Sequence, residues 1–351
     1  MEVWEEELEP VSPNGHYFNS SVLSVSVLAV LEYEIPIDDS QTLSLLENVF
    51  LPISPRFSSI MIEKNGKKQW KKVEVKLEDH VKTPIFPSNM SNESYDEYFD
   101  DYISSIATKR FPQDKPLWEV HVIKYPNSNA AGNVIFKLHH ALGDGYSLMG
   151  ALLSCLQRAD NPSLPLTFPS RLPSETKSEN VVTKTISSLL STISDFWWGI
   201  SKSFRGEDDP SPIKSSNHGL EFAPITISTI TISLDRIKLI KSRLGVAASR
   251  YVHSTLKNSS MMISSMIGPV QKMSLANQPI KGLYFLVVGT PEELDISIVS
   301  YMGKVRLAFT AKKGIIDPQK LKLCMENALN MISNAADKNS MQNSTEEQSH
   351  I

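Results

Sequence analysis

The sequence predicts an α/β protein of two lobes with mixed sheets. Three observations carry that expectation. At 351 residues the chain is longer than one hydrophobic core usually spans. Strand-like and helix-like patterns alternate in both halves, as they do in layered α/β folds. Two tight-turn signals, Lys64-Asn-Gly-Lys67 and the Met302-Gly303 pair, join neighbouring strands as hairpins, so the sheets are not purely parallel.

The elements follow in order. Ser21 to Leu31 alternates serine with Val/Leu and then turns continuously apolar, which is a strand passing into a buried stretch. Asp38 to Phe50 has cap-type residues followed by apolar positions at helical spacing. Arg56–Ile62 and Trp70–Leu77 read as strands around the Asn-Gly turn. Tyr95, Phe99, Tyr102, Ile103 and Ile106 recur at helical spacing from about Ser94 to Thr108, a stripe best explained by core packing. Trp118–Lys124 is a strand, with His121 in its middle as a structural histidine. Tyr146–Leu156 is a helix with few charges.

In the second half, Asn161–Ser178 is Pro- and Ser-rich and reads as a crossover linker. Val181–Phe204 is an amphipathic helix whose Trp197 suits either a membrane interface or the protein's own surface. Pro224–Leu234 is a strand and Asp235–Leu244 a helix. Gly282–Val288, Asp295–Tyr301 and Lys304–Thr310 are strands, and Asp317-Pro-Gln-Lys320 opens a last helix with a cap and an N1 proline. These divide the chain into a first lobe (1–160), a linker (161–223), a second lobe (224–337) and a polar, unstructured tail (338–351).

Composition narrows the function. A net charge of −4 without a Lys/Arg block gives no support to nucleic-acid binding. Two isolated cysteines, Cys155 and Cys324, make neither a disulfide framework nor a zinc site, and favour a reducing, cytosol-facing setting. The acidic opening Met1–Pro10 is unlike a secretory signal, and no apolar run is long enough to span a bilayer. If the protein works at a membrane, the expectation is that it lies on the surface.

The chemistry concentrates in Val134-Ile-Phe-Lys-Leu-His-His-Ala-Leu-Gly-Asp-Gly145, a buried strand that runs into a polar turn. A histidine at a strand end has a rigid platform and an ordinary pKa near neutrality, so His140 can take a proton from a hydroxyl. Asp144 can hold the loop or orient a ring, and Gly143 and Gly145 leave room for a substrate to approach. A metal is the competing reading of His139, His140 and Asp144, but adjacent positions rarely aim two rings at one ion and no third ligand cluster is visible. Gly145-Tyr-Ser-Leu-Met-Gly150 misses the nucleophile-elbow spacing by one residue, and the following helix is expected to bury Ser147. Dinucleotide and P-loop patterns are absent.

His139-His140-Ala-Leu-Gly-Asp144-Gly145 resembles the His-His-x-x-x-Asp-Gly signature of CoA-dependent acyltransferases. Its surroundings resemble the plant wax ester synthase/diacylglycerol acyltransferase family: Glu9-Pro-Val-Ser-Pro13, Pro116-Leu-Trp118, Asn161-Pro-Ser-Leu-Pro165, Ile267-Gly-Pro-Val270, Leu275 to Phe285 and Ser300-Tyr-Met-Gly-Lys304. The likeness covers nearly the whole chain apart from the tail. It implies two chloramphenicol-acetyltransferase-like lobes with a tunnel at their interface. It implies His140 as the base that activates a long-chain alcohol or the free hydroxyl of diacylglycerol toward a fatty acyl-CoA. Asp144 and Gly145 would shape the loop, no metal or prosthetic group would be needed, and the endoplasmic reticulum membrane would be the place of work.

Two departures from the family pattern stand out. Ser264-Ser265 replaces the usual Ser-Asn before the Gly-Pro turn. After Leu244-Gly-Val246, the chain passes through Ala-Ala-Ser-Arg-Tyr251 to material that resembles a region further on, as if an internal segment were omitted and the second lobe shortened. The alternative function is accordingly a weak or inactive isoform that binds lipid or a full-length partner.

Overall fold

The computed structural model describes residues 8–20, 23–65, 67–167, 225–233, 261–290 and 292–348. The expected helices over 181–204 and 235–244, and the junction after Val246, lie outside these residues. In chain order the described elements begin with β1 (Glu9–Pro10), α1 (Pro13–Phe18) and β2 (Ser26–Tyr33). Next come α2 (Thr42–Leu45), one π turn over Leu46–Phe50, and α3 (Leu51–Ile53). They are followed by β3 (Ser59–Lys64), β4 (Lys67–Lys72), β5 (Val81–Lys82) and α4 (Asn92–Thr108). β6 (Trp118–Ile123), β7 (Gly132–His139), α5 (Gly145–Ser154) and β8 (Gln157–Arg158) complete the first stretch. The remainder holds β9 (Ile225–Ser233), β10 (Met261–Ile267), β11 (Met273–Leu275), β12 (Gln278–Val288), β13 (Leu294–Tyr301), β14 (Lys304–Lys312) and α6 (Pro318–Gln348).

Local chemistry explains the boundaries. Ser12 caps α1 by accepting from the Gly15 amide at 3.1 Å, with Pro13 at the first helical position. Ser91 caps α4 in the same way through the Ser94 amide at 3.3 Å. Asp317 accepts from Gln319 and Lys320 at the start of α6. Asn65 takes φ +54° in the β3–β4 hairpin, and Met302 and Gly303 take +49° and +71° between β13 and β14, the left-handed pairings a two-residue turn needs.

A seven-stranded sheet of order β5-β6-β7-β2-β12-β11-β8 forms the larger layer. Every residue of β2 and of β7 is buried, which is why both read as almost unbroken apolar runs. β12 lies antiparallel to β2, from Ile280 opposite Tyr33 to Val288 opposite Ser26. The boundary drawn between the lobes at 160–224 is therefore crossed: β11 and β12, from the C-terminal stretch, complete the first lobe's sheet. The second sheet, β10-β13-β14-β9, packs α6 through Leu321, Met325 and Leu329 over a core that among the described residues includes Leu294, Ile296 and Phe309. These two sheets are mixed, since β5–β6 and β10–β13 are parallel pairs and the others antiparallel, whereas a third sheet, β1-β4-β3, is wholly antiparallel.

Three expectations are corrected. Pro55–Ser58 is a 3-10 turn, not strand, because Pro55 sits at its first position and Ser54 caps it. β4 ends at Lys72 without reaching Leu77. The tail expected to be unstructured from Lys338 continues the helical backbone of α6 to Gln348.

The lobes are clasped by a buried ion pair between Arg306 on β14 and Glu32 on β2. The Arg306 guanidinium also lies 4.6 Å from the Tyr284 ring centre and donates to Thr229 Oγ1 at 3.2 Å. Gly282 makes room for the pair, since a Cβ there would overlap the Glu32 carboxylate.

Candidate functional site

β7 ends at His139, and the chain then leaves the sheet for the N-terminus of α5. The exit is pinned on both sides: the His139 amide donates to Leu117 O at 3.0 Å and the His140 amide to Val25 O at 2.8 Å. His139 is 1% exposed, whereas His140 is half-buried. The two neighbours consequently sit in different environments.

The His139 ring is held by two polar contacts, with Ala141 N to Nδ1 at 3.1 Å and Ser24 Oγ to Nε2 at 3.2 Å. Burial first, then the nearby cationic groups of His140, Lys137, Lys68 and Arg110, push it down to about 3. The His140 ring lies 4.6 Å from the Phe18 ring. Burial also holds His140 below the ordinary histidine value, outweighing a hydrogen bond to its own backbone and the pull of Asp144. A histidine of this kind is neutral at physiological pH and able to accept a proton.

Asp144 is the N-cap of α5, its Oδ1 accepting from the Ser147 amide at 2.7 Å. Desolvation works against its charge, but the hydrogen bonds from Ser147 and the proximity of His140 keep it below the usual carboxylate range. A Cβ on Gly145 would meet nothing within 4 Å, so the space in front of α5 is open there. A Cβ on Gly143 would press on Ser147 Cβ at 3.2 Å. The structure thus brings His140, Asp144 and Gly145 to one loop and turns His139 inward. Ser147 is exposed, contrary to the expected burial. Among the described residues no group of three or more His, Cys, Asp or Glu could hold a metal ion.

Sequence reasoning missed Arg56. Its Nη1 donates to Leu142 O at 3.3 Å inside the histidine loop, and its Nη2 is 2.5 Å from Glu9 Oε1. Glu9 opens the Glu-Pro-Val-Ser-Pro run, so that motif has a physical use: its first residue anchors the arginine and its serine caps α1, whose Gly15 lies against Ala141. Trp118 of the Pro-Leu-Trp run donates from Nε1 to Phe57 O at 2.8 Å and stacks on His80 at 4.2 Å. Gly268 of the Gly-Pro turn approaches Ser300 O so closely that a Cβ would overlap it. A cavity of about 20 Å³ between Tyr33, Leu46 and Leu275 lies toward the opposite end of β2 from His139 and has room for one water.

A histidine loop at the end of a mixed sheet, shared between two clasped lobes, defines a chloramphenicol-acetyltransferase-like fold. Residues 50–209 match the model of the wax ester synthase/diacylglycerol acyltransferase catalytic domain, and residues 230–333 match the WS/DGAT C-terminal domain. The chain belongs to the wax ester synthase/diacylglycerol acyltransferase family. It is 38% identical over 157 residues to wax ester synthase/diacylglycerol acyltransferase 11 of Arabidopsis thaliana, covering 44% of this chain and 32% of that protein. To wax ester synthase/diacylglycerol acyltransferase 6 of the same plant it is 28% identical over 270 residues, 70% of this chain and 52% of the relative. The chain therefore matches only a third to a half of the length of these two relatives. Among solved structures, wax ester synthase/diacylglycerol acyltransferase from Marinobacter aquaeolei VT8 shares the fold with a TM-score of 0.62 at 14% identity, covering 93% of this chain and 100% of that one. The first condensation domain of the calcium-dependent antibiotic synthetase aligns with a TM-score of 0.58 at 10% identity, covering 95% and 97%.

Proposed function

We propose that the chain transfers a fatty acyl group from acyl-CoA to a hydroxyl, that of a long-chain alcohol or of diacylglycerol, with His140 as general base. The observation that carries this reading is the difference between two adjacent histidines. His139 has both ring nitrogens engaged, whereas His140 is half-buried, kept neutral by burial, and lies on the loop that leads to the open position Gly145. In the proposed step His140 takes the hydroxyl proton as the oxygen attacks the thioester carbonyl. The tetrahedral intermediate then expels the CoA thiolate, which recovers the proton from His140, leaving ester and free CoA. Asp144 shapes the loop as a helix cap and moves no proton, and no metal or prosthetic group enters the scheme.

The acceptors dissolve in membranes, so the proposed place of action is the cytosolic face of the endoplasmic reticulum, by surface contact. No described helix is long and apolar enough to cross a membrane. The apparent omission of a segment after Val246 favours a second reading, a shortened chain that binds lipid or a full-length partner with little turnover. Purified protein given labelled palmitoyl-CoA with hexadecanol or diacylglycerol, beside His140→Ala, separates the two. Ester formed by the parent and lost in the variant supports the transferase, and equal, negligible product from both supports the binder.

A further inference from the structure

We infer that Ser24 is a positioning residue, fixing the orientation of a His139 ring that the Ala141 amide keeps neutral, so that proton uptake is confined to His140; this rests on the acyl-transfer reading above. The Ala141 amide donates to His139 Nδ1, and only a nitrogen without a proton can receive it. Neutral imidazole carries a single N–H, so Nε2 bears it and donates to Ser24 Oγ. A second proton on this ring would expel the Ala141 amide from Nδ1 inside a fully buried environment, leaving an unsatisfied donor in the loop itself. The ring is further enclosed by Phe111, edge-on at 5.9 Å. The charged groups that act on it are all cationic: Lys137 on its own strand, Lys68 on β4, Arg110 beyond α4, and His140 when protonated.

The consequence falls on His140. A charge on His139 would oppose proton uptake one residue away, so a ring that stays neutral keeps the base usable. Ser24 is also well placed to hold the geometry. It precedes Val25, whose carbonyl receives the His140 amide, and it bridges back to Asn19, next to the Phe18 that packs on the His140 ring. Its own carbonyl is seated against Gly289, at the end of β12.

The test uses the full chain labelled with ¹⁵N-histidine and long-range ¹H–¹⁵N correlation over roughly pH 5 to 9, the window in which an ordinary histidine titrates. His139 signals, assigned by their loss in His139→Gln, are expected in the Nε2–H pattern at every pH. A His139 midpoint within the window, or an Nδ1–H pattern, overturns the proposal. Ser24→Ala keeps the Nε2–H tautomer, which the Ala141 amide dictates, but leaves that N–H without its partner; it is expected to speed exchange of the Nε2–H proton with water and to lower kcat about tenfold, the effect of one lost hydrogen bond, with KM for acyl-CoA unchanged. Ser24→Thr, which keeps the hydroxyl, restores both. An alanine variant with the parent's Nε2–H exchange and kcat, or a threonine variant no better than alanine, also overturns it. Should the parent show the fixed tautomer but form no ester, the acyl-transfer reading fails while the neutral ring stands.

Discussion

Arg56 donates to the carbonyl of Leu142 at 3.3 Å, which ties the turn before β3 to the middle of the histidine loop. This side-chain bond to a carbonyl between His140 and Asp144 adds to the backbone bonds that fix where that loop sits. Arg56→Ala is expected to lower kcat by about ten- to a hundredfold, as a small displacement of a reacting group does. Arg56→Lys should recover little, because one ammonium cannot span Glu9 and Leu142 as the planar fork does. Steady-state kinetics of the two variants check this, and a lysine variant at parental rate contradicts it.

His140 sets the pH dependence. Its ring must be neutral to accept a proton, and burial holds its pKa below the ordinary 6.5. The rate is then expected to be flat through neutrality and to fall only as pH drops through that lowered value. An acid limb of kcat/KM at or above the ordinary histidine value counts against the assignment. His140→Ala should cost about 10²- to 10⁴-fold, the usual share of a general base.

Asp144 separates capping from proton transfer. Asp144→Asn keeps an acceptor for the Ser147 amide and should retain most activity, whereas Asp144→Ala loses the cap at a cost of about 1 kcal/mol. Chemical denaturation read together with ester formation checks both, and an asparagine variant as poor as alanine would assign the carboxylate a larger role.

The clasp between lobes responds to being half-broken. Arg306→Met leaves the Glu32 carboxylate buried and alone, with an expected loss of about 3–5 kcal/mol. Adding Glu32→Leu should recover much of it, since a pair of apolar residues leaves no stranded charge. A double variant no more stable than the single one would refute this account.

Lys137 carries a stability signature. It is 1% exposed, bonded to Lys109 O at 2.6 Å and set 4.3 Å from the Phe111 ring centre, and burial pushes it down from 10.5 to about 8. Between those values the unfolded chain binds more protons than the folded one, so this group adds stability as pH rises from about 8 to 10.5, by at most roughly 3 kcal/mol. Urea titrations of the parent and Lys137→Met across that range should converge as pH rises if the parent starts less stable, or diverge if it starts more stable. Parallel curves would exclude the effect.

How much of this was legible in the sequence follows from locality. The Asn-Gly hairpin, the Ser91–Thr108 aromatic face and the Asp317-Pro cap are local signals, and the structure contains each of them. β7 and its histidines could be read because a strand buried on both faces has an unbroken apolar run. The insertion of β12 beside β2 could not be read, since nothing in Gly282–Val288 says which apolar edge it will join. Arg56 looked like any surface arginine, as its partners are 47 and 86 residues away. Lys137 was invisible for a related reason: a lysine inside an apolar strand is buried only because α4 offers a carbonyl at its end.

The seating of β12 between β2 and β11 has a consequence for biosynthesis. As the chain leaves the ribosome, β2, β6 and β7 emerge early with the histidine loop attached, yet the inner edge of β2 has no partner until Val288 has been made. Until then that edge presents a row of open amides and carbonyls to any neighbouring strand. The site is thus encoded early but finished late, and quality control of this protein would act on chains that already carry both histidines and lack the strand that closes the sheet behind them.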